Sequence, residues 1–449
     1  MQRASWVAHS RIASLVLGIS LGLAAAASGP SLARLWTGLA ADGGRSAGVH
    51  AIRMDITHPS WVATWAAAPQ AGVGQAAAGG FDDQTVRDVI YTSAGGTAVR
   101  VRISNLYGTL PLHIGAASVG TVLEGARLLP SGPRRLAFGA REKTSVIIPA
   151  GKSVTSDPVS YDVPPLTELA VSLYLPAPTS PMTGHSLAQQ ATYVADGDHA
   201  DTSRAAPYDI TERSWYFLTE VDVRSMTADG TVVAFGDSIT DGAGSQAGAD
   251  DRWPNYLARR LEAAYGDRAP GVVDEGISGN QVLRASACGG GRSALTRFSR
   301  DALGVAGVRA VILLEGINDV NLATRRPGRC VIPASRDVTV GDIENGYRRL
   351  IAMGRSRGVA VYLGTLTPAA GALTPAGVAM RAAVNRWIAA SSTARVCDGV
   401  VNFASAVADP GDPAYLDPAD NSGDGLHPDD LGYNVMAGAI PLAWIGPGT

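Results

Sequence analysis

The sequence predicts an α/β domain built on a parallel sheet, preceded by an all-β domain of the sandwich or jelly-roll type. After Gly230, short apolar runs alternate with helical stretches of about 10–15 residues, as in parallel sheets that helices cover on both faces. Before Gly230, short strand-like segments are separated by clusters of Gly, Pro, Asp and Asn, which is typical of antiparallel β domains. The change of pattern near Gly230 therefore predicts two domains in this order.

Length and composition agree with a globular protein of two domains. The chain has 449 residues, of which 46% are hydrophobic and 17% are charged, so it can bury more than one ordinary core. Its formal net charge of −3 gives no reason to expect binding to nucleic acid or to an anionic membrane surface. We predict a signal peptide over residues 1–33, a linker over 34–57, a β domain over 58–222 and an α/β domain over 228–446.

The first 33 residues have the pattern of a cleaved signal peptide. Arg3 and Arg11 make the start basic, Ile12–Ala27 is largely apolar, and Ser31–Ala33 offers a cleavage site of small residues. The alternative is an uncleaved membrane anchor, but the apolar run is shorter than the roughly 20 residues that a bilayer span needs. No later segment is long and apolar enough to span a membrane. We therefore expect a secreted or periplasmic protein without an integral membrane segment in its mature chain.

Four segments of the N-terminal region are strand candidates. Val99–Ile103 alternates apolar and polar residues, as a half-buried strand does. The four candidates are Val99–Ile103, Ser145–Pro149, Leu169–Leu175 and Ser214–Leu218. Trp61, Trp65 and Tyr107 could bind glycans, but aromatic residues of a β domain more often fill its core, which is what we expect here.

The α/β region shows the alternation of strand and helix more fully. The predicted strands are Thr231–Phe235, Gly271–Val273, Val308–Leu314, Val359–Leu363 and Val400–Phe403. The predicted helices are Trp253–Tyr265, Ile343–Arg357, Pro375–Ser391 and a C-terminal helix that begins near Gly432. In the first of these helices, Leu257, Leu261 and Ala264 lie on one face, which indicates a helix packed on a sheet.

Polar residues and glycines follow the first three predicted strands of the α/β region. Functional groups collect at the carboxyl ends of strands in open α/β sheets. Ser238 lies just after the first strand, between Gly236 and Gly242, where its hydroxyl can reach the rim of the sheet. Gly279 follows the second strand and Asn318 follows the third. Each segment alone also fits a simpler interpretation, because Ser, Asp and Asn cap helices and glycines form turns.

His427 is the strongest single indication of catalysis. The chain has seven histidines, and His427 is the one that falls in the predicted α/β domain. Asp424 precedes it by three residues and could turn back to hold the ring through its Nδ1–H group. The histidines His185 and His199 fall in the β domain, where we expect them to be structural.

Together these residues supply every part of an acyl-transfer site. A serine hydroxyl needs a base to take its proton, so Ser238 would be the nucleophile and His427 the base. Asp424 would fix the tautomer of the imidazole and stabilise the imidazolium. The oxyanion of the tetrahedral intermediate needs preorganised donors, for which the candidates are the N–H groups of Ser238 and Gly279 and the amide of Asn318. Asp237 and Asp319 are expected to hold loops and not to take part in the chemistry.

These four segments resemble the sequence blocks of the SGNH hydrolases, also called GDSL esterases or lipases. Gly236–Ile239 reads Gly-Asp-Ser-Ile and resembles the first block, with Ile where Leu is more usual. Gly279, rather than Gly276, matches the glycine of the second block; Gly316–Asp319 and Asp424–His427 resemble the third and the last. The resemblance covers residues 228–446. It implies a flavodoxin-like three-layer α/β/α domain that hydrolyses esters without a cofactor.

A fainter resemblance concerns the N-terminal region. Trp61–Trp65, Arg102–Leu106 and Tyr193–Asp198 are similar to a β domain found in secreted bacterial members of the arylesterase-like and acetylxylan-esterase-like subgroup. We therefore expect a monomeric esterase that acts on short-chain acyl or acetyl esters, including acetylated polysaccharide. One alternative is a lysophospholipase or lipase that uses the same residues. Another is a carbohydrate-binding surface protein with a vestigial hydrolase domain.

The three cysteines lead to one further prediction. Cys288 and Cys330 lie in loops that follow predicted strand ends on the same rim of the sheet, so we predict a disulfide between them in an oxidising compartment. Cys397 is expected to be a buried free thiol. No cysteine pair has the spacing of metal ligands and no histidine lies nearby, so the sequence predicts no metal site.

Overall fold

Antiparallel strands make up the N-terminal part of the chain up to Ser225. We describe the protein from a computed structural model, which covers residues 59–448 except 73–78, 140–142, 180, 287 and 326–336. The predicted signal peptide, the predicted linker and Cys330 lie outside the described residues. The strands of the N-terminal part are β1 (Ser60–Ala66), β2 (Gln70–Ala71), β3 (Gln84–Tyr91), β4 (Gly96–Ser104), β5 (Leu112–Ile114), β6 (Ala116–Glu124), β7 (Arg127–Leu128), β8 (Arg134–Arg135), β9 (Val146–Ile148), β10 (Ser153–Thr155), β11 (Val159–Val163), β12 (Glu168–Leu175), β13 (Thr183–His185), β14 (Thr192–Asp196), β15 (Ile210–Glu212), β16 (Trp215–Tyr216) and β17 (Leu218–Ser225).

Two of the antiparallel sheets face each other across one core. The first has the order β1-β17-β4-β10, with β11 also paired to β4, and the second has the order β15-β14-β3-β12-β6-β7, with β8 paired to β6. Val101 of β4 and Val171 of β12 lie in the same buried cluster, because alternate residues of each strand point inward. On the other face of the first sheet, Arg100 forms an ion pair with Asp222. This arrangement confirms the predicted β-sandwich.

The remaining elements alternate between strand and helix, as predicted. They are β18 (Thr231–Gly236), α1 (Ser238–Asp241), α2 (Trp253–Tyr265), β19 (Gly271–Gly276), α3 (Ala294–Asp301), β20 (Val308–Leu314), α4 (Ile317–Thr324), α5 (Val340–Arg355), β21 (Ala360–Gly364), α6 (Pro375–Thr393), β22 (Gly399–Val401), α7 (Phe403–Ala406) and α8 (Asp430–Gly438), with 3-10 turns at Gly266–Arg268 and Leu442–Trp444.

The second half of the chain is built on a parallel sheet with the strand order β19-β18-β20-β21-β22. Numbered along the chain, this is the order 2-1-3-4-5 of flavodoxin-like folds. All residues of β18 are buried, since both faces of a central parallel strand are covered. One group of helices pairs α2 with α8, and another joins α3, α5 and α6. The three-layer α/β/α prediction is therefore confirmed.

Among the differences between the predicted elements and the structure, two have a clear local cause. The last strand was expected to reach Phe403, but β22 ends at Val401, because the side chain of Asn402 accepts a hydrogen bond from Ser405 N and begins α7. The second difference is α3, which the sequence analysis missed. This helix buries Arg297 and Asp301 together with Phe298, so its inner face lacks the apolar periodicity that marks a helix.

The β-sandwich and the α/β sheet share buried contacts. Ala63 of β1 lies in the core of the α/β region, and its N–H lies 3.1 Å from both Thr231 Oγ1 and Ala306 O. Ser93 Oγ, at the end of β3, accepts from Val272 N at 2.8 Å. Two hydrophobic cores thus belong to one compact unit, Arg53–Thr449, and the domain bounds given above stay predictions.

Candidate active site

The turn between β18 and α1 presents Ser238 at the rim of the parallel sheet. Asp237 begins the helix, and its carboxylate accepts from Ile239 N at 3.1 Å. A side chain at Gly236 would place its Cβ 2.2 Å from Leu314 O, so this turn requires glycine. Ser238 is the first helical residue and is 7% exposed, so its hydroxyl meets solvent through a small opening.

Ser238, His427 and Asp424 lie in one hydrogen-bonded line. Ser238 Oγ is 2.8 Å from His427 Nε2, and His427 Nδ1 is 2.5 Å from Asp424 Oδ2. Burial alone would raise the pKa of Asp424, but hydrogen bonds from the backbone and ring of His427 outweigh it and lower that pKa. The structure thus brings together the three residues that the sequence singled out, with the carboxylate ionised beside the ring.

The loop that carries His427 is held against the loop that follows the serine. Tyr433 of α8 donates its hydroxyl to Ala243 O at 2.6 Å, and Gln246 N donates to Asp430 Oδ1 at 2.8 Å. Asp429 caps α8 by accepting from Gly432 N, which fixes where the helix begins. Because α8 starts just after His427, these contacts set the position of the imidazole.

The predicted oxyanion donors lie at the start of α1 (Ser238), in the loop after β19 (Gly279) and at the start of α4 (Asn318), and a hydrogen bond joins the last two segments. Gly279 has a φ of +78°, a left-handed conformation that favours glycine. Asn318 Nδ2 donates one proton to Asn280 O at 2.9 Å and keeps a second amide proton. No described residue accepts a hydrogen bond from the backbone N–H of Ser238 or of Gly279. These N–H groups therefore remain available to a substrate oxygen.

Asp237 and Asp319 hold loops, as predicted. Asp319 accepts from Val282 N at 2.8 Å and from Leu283 N at 3.2 Å, and so ties the loop after β19 to the start of α4. Burial raises the pKa of both Asp237 and Asp319 to about 7. Their carboxyl groups face the protein interior and not the opening above Ser238.

A fully buried arginine behind the serine was missed by the sequence analysis. Arg297 of α3 donates to Gly236 O at 2.8 Å, to Glu275 O at 2.7 Å and to Asn280 Oδ1 at 2.9 Å. It thus joins the ends of β18 and β19 to the loop that carries Gly279. The spacing of Arg297 and Asp301 by four residues is the one local signal, and it is too common on helices to indicate such a role.

The β-sandwich also reaches the site. His185 of β13 was expected to be structural; it is buried, and its Nε2 lies 2.9 Å from Asp241 Oδ1 at the end of α1. Gln189 donates to Gly242 O at 3.0 Å and to Ser245 O at 2.7 Å. Two side chains of the sandwich are therefore bonded to the segment that follows the nucleophile candidate.

Other sequence-based predictions have mixed outcomes. Trp65 is buried in the sandwich core against Trp215, as expected. Trp61 and Tyr107 were also expected in the core, but they are half-buried, with Arg100 over Trp61 and Arg292 over Tyr107. Cys397 is buried and free, as predicted. The disulfide between Cys288 and Cys330 stays a prediction, since Cys330 lies outside the described residues. Within the described ranges, no group of three or more His, Cys, Asp or Glu side chains is placed to hold a metal ion. Nor does any helix described here have the length and apolar character to cross a membrane.

With the fold and the geometry in place, residues 234–435 match the family model of the GDSL-like lipases/acylhydrolases. This stretch, just under half of the chain, is therefore similar to the members of that family. The GDSL-type domain makes the protein a carboxylic ester hydrolase. The matched residues begin in β18 and end in α8, so they span both Ser238 and His427.

Solved structures of two esterases and of a GDSL-like lipase are each similar to just under half of the chain. A tryptophan-to-isoleucine variant of an acetyl xylan esterase from Geobacillus stearothermophilus is 22% identical, with a TM-score of 0.35, over 47% of this chain and 93% of its own. The native aryl esterase of M. smegmatis is 17% identical, with a TM-score of 0.36, over 47% and 95%. A GDSL-like lipase from Bacteroides thetaiotaomicron VPI-5482 is 22% identical, with a TM-score of 0.34, over 48% and 87%. A comparison with curated proteins finds no match.

Proposed function

We propose that the protein is a secreted serine esterase in which Ser238 is the nucleophile, His427 the general base and Asp424 the carboxylate that orients it. The observation that carries this proposal is the continuous line from Ser238 Oγ through both ring nitrogens of His427 to Asp424 Oδ2, with steps of 2.8 and 2.5 Å. Both distances lie within the reach that proton transfer between a nucleophile and its base requires.

The reaction follows from this geometry. Ser238 Oγ attacks the acyl carbonyl carbon while His427 Nε2 takes the hydroxyl proton, which leaves a tetrahedral oxyanion. The imidazolium gives that proton to the departing alcohol oxygen as the ester bond breaks, and an acyl-serine remains. Water then attacks the acyl-serine, His427 takes a proton from it, and the carboxylic acid is released as Ser238 is restored. Asp424 stabilises the imidazolium in both halves of the reaction.

The oxyanion would be held by the N–H groups of Ser238 and Gly279 and by the second amide proton of Asn318. Two findings support this assignment. No described residue accepts a hydrogen bond from either backbone N–H group, and Asn318 is fixed by its hydrogen bond to Asn280 O. Donors that are in place before the reaction do not have to reorganise when the charge develops.

We further propose short-chain acyl or acetyl esters as substrates, including the acetyl groups of polysaccharides. The sequence contains no strongly apolar lid segment, which long-chain lipases often use. On one side of the candidate active site, the loop after Ser238 packs closely on the loop that carries His427. A Cβ added at Gly244 would lie only 2.6 Å from Pro428 O. Export of the chain, which the basic and apolar start predicts, would place the enzyme where such polymers occur.

The test is a panel of p-nitrophenyl esters from acetate to palmitate, with acetylated xylan run alongside. Ser238→Ala is the test variant, and Ser299→Ala, at an exposed serine of α3, is the matched control. We expect hydrolysis of the short esters by the wild type and the control, none by Ser238→Ala, and acetate release from xylan. A preference for palmitate would favour a lipase or lysophospholipase. No hydrolysis of any ester by the folded wild type would refute the proposal and favour a carbohydrate-binding protein.

A further inference from the structure

His185, a buried histidine of the β-sandwich, lies behind the candidate active site. His185 is 2% exposed, and each of its ring nitrogens faces a hydrogen-bond acceptor. Nδ1 lies 2.9 Å from Ala68 O, and Nε2 lies 2.9 Å from Asp241 Oδ1. A histidine that served only to fill the core would not need a carboxylate from the other half of the protein.

The two hydrogen bonds of His185 require two protons, which are divided between its imidazole ring and the carboxyl group of Asp241. The carbonyl oxygen of Ala68 can only accept, so Nδ1 carries a proton. A second proton must lie between Nε2 and Asp241 Oδ1, since two lone pairs at 2.9 Å would repel each other. Burial disfavours the charged imidazole, but the Asp241 carboxylate beside it, with Asp274 further away, outweighs burial and raises the pKa of His185.

The partner carboxylate is also bonded to the loop of the oxyanion candidate. Asp241 Oδ2 accepts from Ser278 N at 2.8 Å and from Ser278 Oγ at 2.7 Å. Ser278 directly precedes Gly279, and Asp241 is the last residue of the short helix that Ser238 begins. One carboxylate thus connects the nucleophile helix, the loop of the oxyanion donor and the β-sandwich.

We propose that His185 is a positioning residue for catalysis: by holding Asp241, it fixes the peptide between Ser278 and Gly279 and so aims the Gly279 N–H at the oxyanion. This inference rests on the proposed esterase function. It makes the β-sandwich a necessary part of the active site rather than an appended module. Gln70 supports the same view, because it donates to Gly289 O at 3.0 Å and accepts from Ser186 N at 2.9 Å, next to His185.

Two substitutions of His185 separate its two hydrogen bonds. In His185→Asn the amide nitrogen lies near the former Nδ1, so the bond to Ala68 O is kept and the bond to Asp241 is lost. In His185→Gln the amide nitrogen lies near the former Nε2, so the bond to Asp241 is kept. The matched control is His113→Asn, at an exposed histidine of β5 in the same sandwich.

We measure kcat and KM on p-nitrophenyl acetate together with thermal unfolding of each variant. His185→Asn is expected to lower kcat by about 10-fold to 100-fold with little change in KM, because the oxyanion contact is made in the transition state. His185→Gln is expected to restore most of that loss, whereas His113→Asn should behave as the wild type. If His185→Asn does not fold, Asp241→Ala tests the same link, because it removes the bonds to both His185 and Ser278, and we expect at least the same fall in kcat.

The outcomes distinguish this inference from the proposed function. A folded His185→Asn, or a folded Asp241→Ala, with the kcat of the control would overturn the positioning role while leaving Ser238 chemistry intact. Equal losses of kcat in His185→Asn and His185→Gln would also overturn it, since the bond to Asp241 would then not matter. A wild type without esterase activity would refute the proposed function itself.

Discussion

Asp424 bonds to His427 at both its ring and its backbone. Its Oδ2 lies 2.5 Å from His427 Nδ1, while its Oδ1 accepts from His427 N at 2.8 Å and from Leu426 N at 2.9 Å. The carboxylate therefore shapes the turn that carries the imidazole as well as orienting the ring. Its side chain is 50% exposed, so water can partly replace it if it is removed.

The first prediction follows from this exposure. His427→Ala removes the proposed base of Ser238, so we expect kcat to fall by about 10⁵-fold or more. Asp424→Ala should cost less, about 10²-fold to 10⁴-fold, because the ring keeps its contact with Ser238 and water can solvate Nδ1. Steady-state kinetics on p-nitrophenyl acetate measure both. An His427→Ala enzyme as active as the wild type would eliminate the mechanism.

The second prediction concerns the amide of Asn318. Its loss in Asn318→Ala should lower kcat by about 10²-fold to 10³-fold and leave KM nearly unchanged, as for other oxyanion donors. Asn345→Ala, at an exposed asparagine of α5, is the control and should have no effect. A variant whose KM rises while kcat stays constant would instead assign Asn318 to substrate binding.

Much of this architecture could be predicted because its signals are local. The buried runs of β18 and β20 and the amphipathic face of α2 occupy continuous stretches, so periodicity finds them. Asp424 and His427 are only three positions apart in the chain, so their pairing can also be recognised from the sequence. The ends of parallel strands then bring such segments to one rim, which is a property of the fold.

The contacts that escaped prediction join distant segments. His185 and Asp241 are 56 positions apart, and Arg297 is 61 positions from Gly236. No local sequence pattern therefore indicates either contact. Both are buried polar contacts, whereas sequence patterns report mainly the burial of apolar side chains. The sequence-based interpretation of His185 as a structural residue therefore did not identify its partner, Asp241.

The third prediction compares Gly276, the last residue of β19, with Gly279 in the loop that follows. A Cβ at Gly276 would lie 2.3 Å from Asp241 N, a clash with backbone, so Gly276→Ala should lower the free energy of unfolding by about 3 kcal/mol or more. A Cβ at Gly279 would meet nothing closer than Gly290 Cα at 3.6 Å, and its cost is the left-handed backbone, about 1–2 kcal/mol.

Gly279→Ala should therefore fold, and its kcat should fall because the strained peptide shifts the N–H that we propose as an oxyanion donor. Urea unfolding and kinetics on the same samples separate stability from turnover. If Gly279→Ala keeps the wild-type kcat, the assignment of its N–H to the oxyanion is wrong. If Gly276→Ala is as stable as the wild type, the close approach of the loop to Asp241 is not as described.

The fourth prediction concerns a buried carboxyl group of the sandwich. Asp88 of β3 is fully buried; it accepts from Thr192 Oγ1 at 2.8 Å and from Tyr216 N at 3.3 Å, yet burial dominates and raises its pKa to about 8. In the unfolded chain the pKa returns to about 3.9. Between these values the folded state binds a proton that the unfolded state has released, so the free energy of unfolding falls as pH rises.

Asp88→Asn removes this titration while keeping the size of the side chain and an oxygen for Thr192. We expect the wild type to lose stability from pH 5 to pH 8 more steeply than Asp88→Asn, by about 1 kcal/mol or more over that window, since one unit of pKa shift corresponds to about 1.4 kcal/mol. Urea unfolding at several pH values measures both slopes, with the exposed Asp82→Asn as the control. Buried Asp237 and Asp319 contribute equally to both proteins, so the difference in slope belongs to Asp88. Parallel slopes would mean that the Asp88 carboxyl ionises in the folded protein as readily as in the unfolded chain.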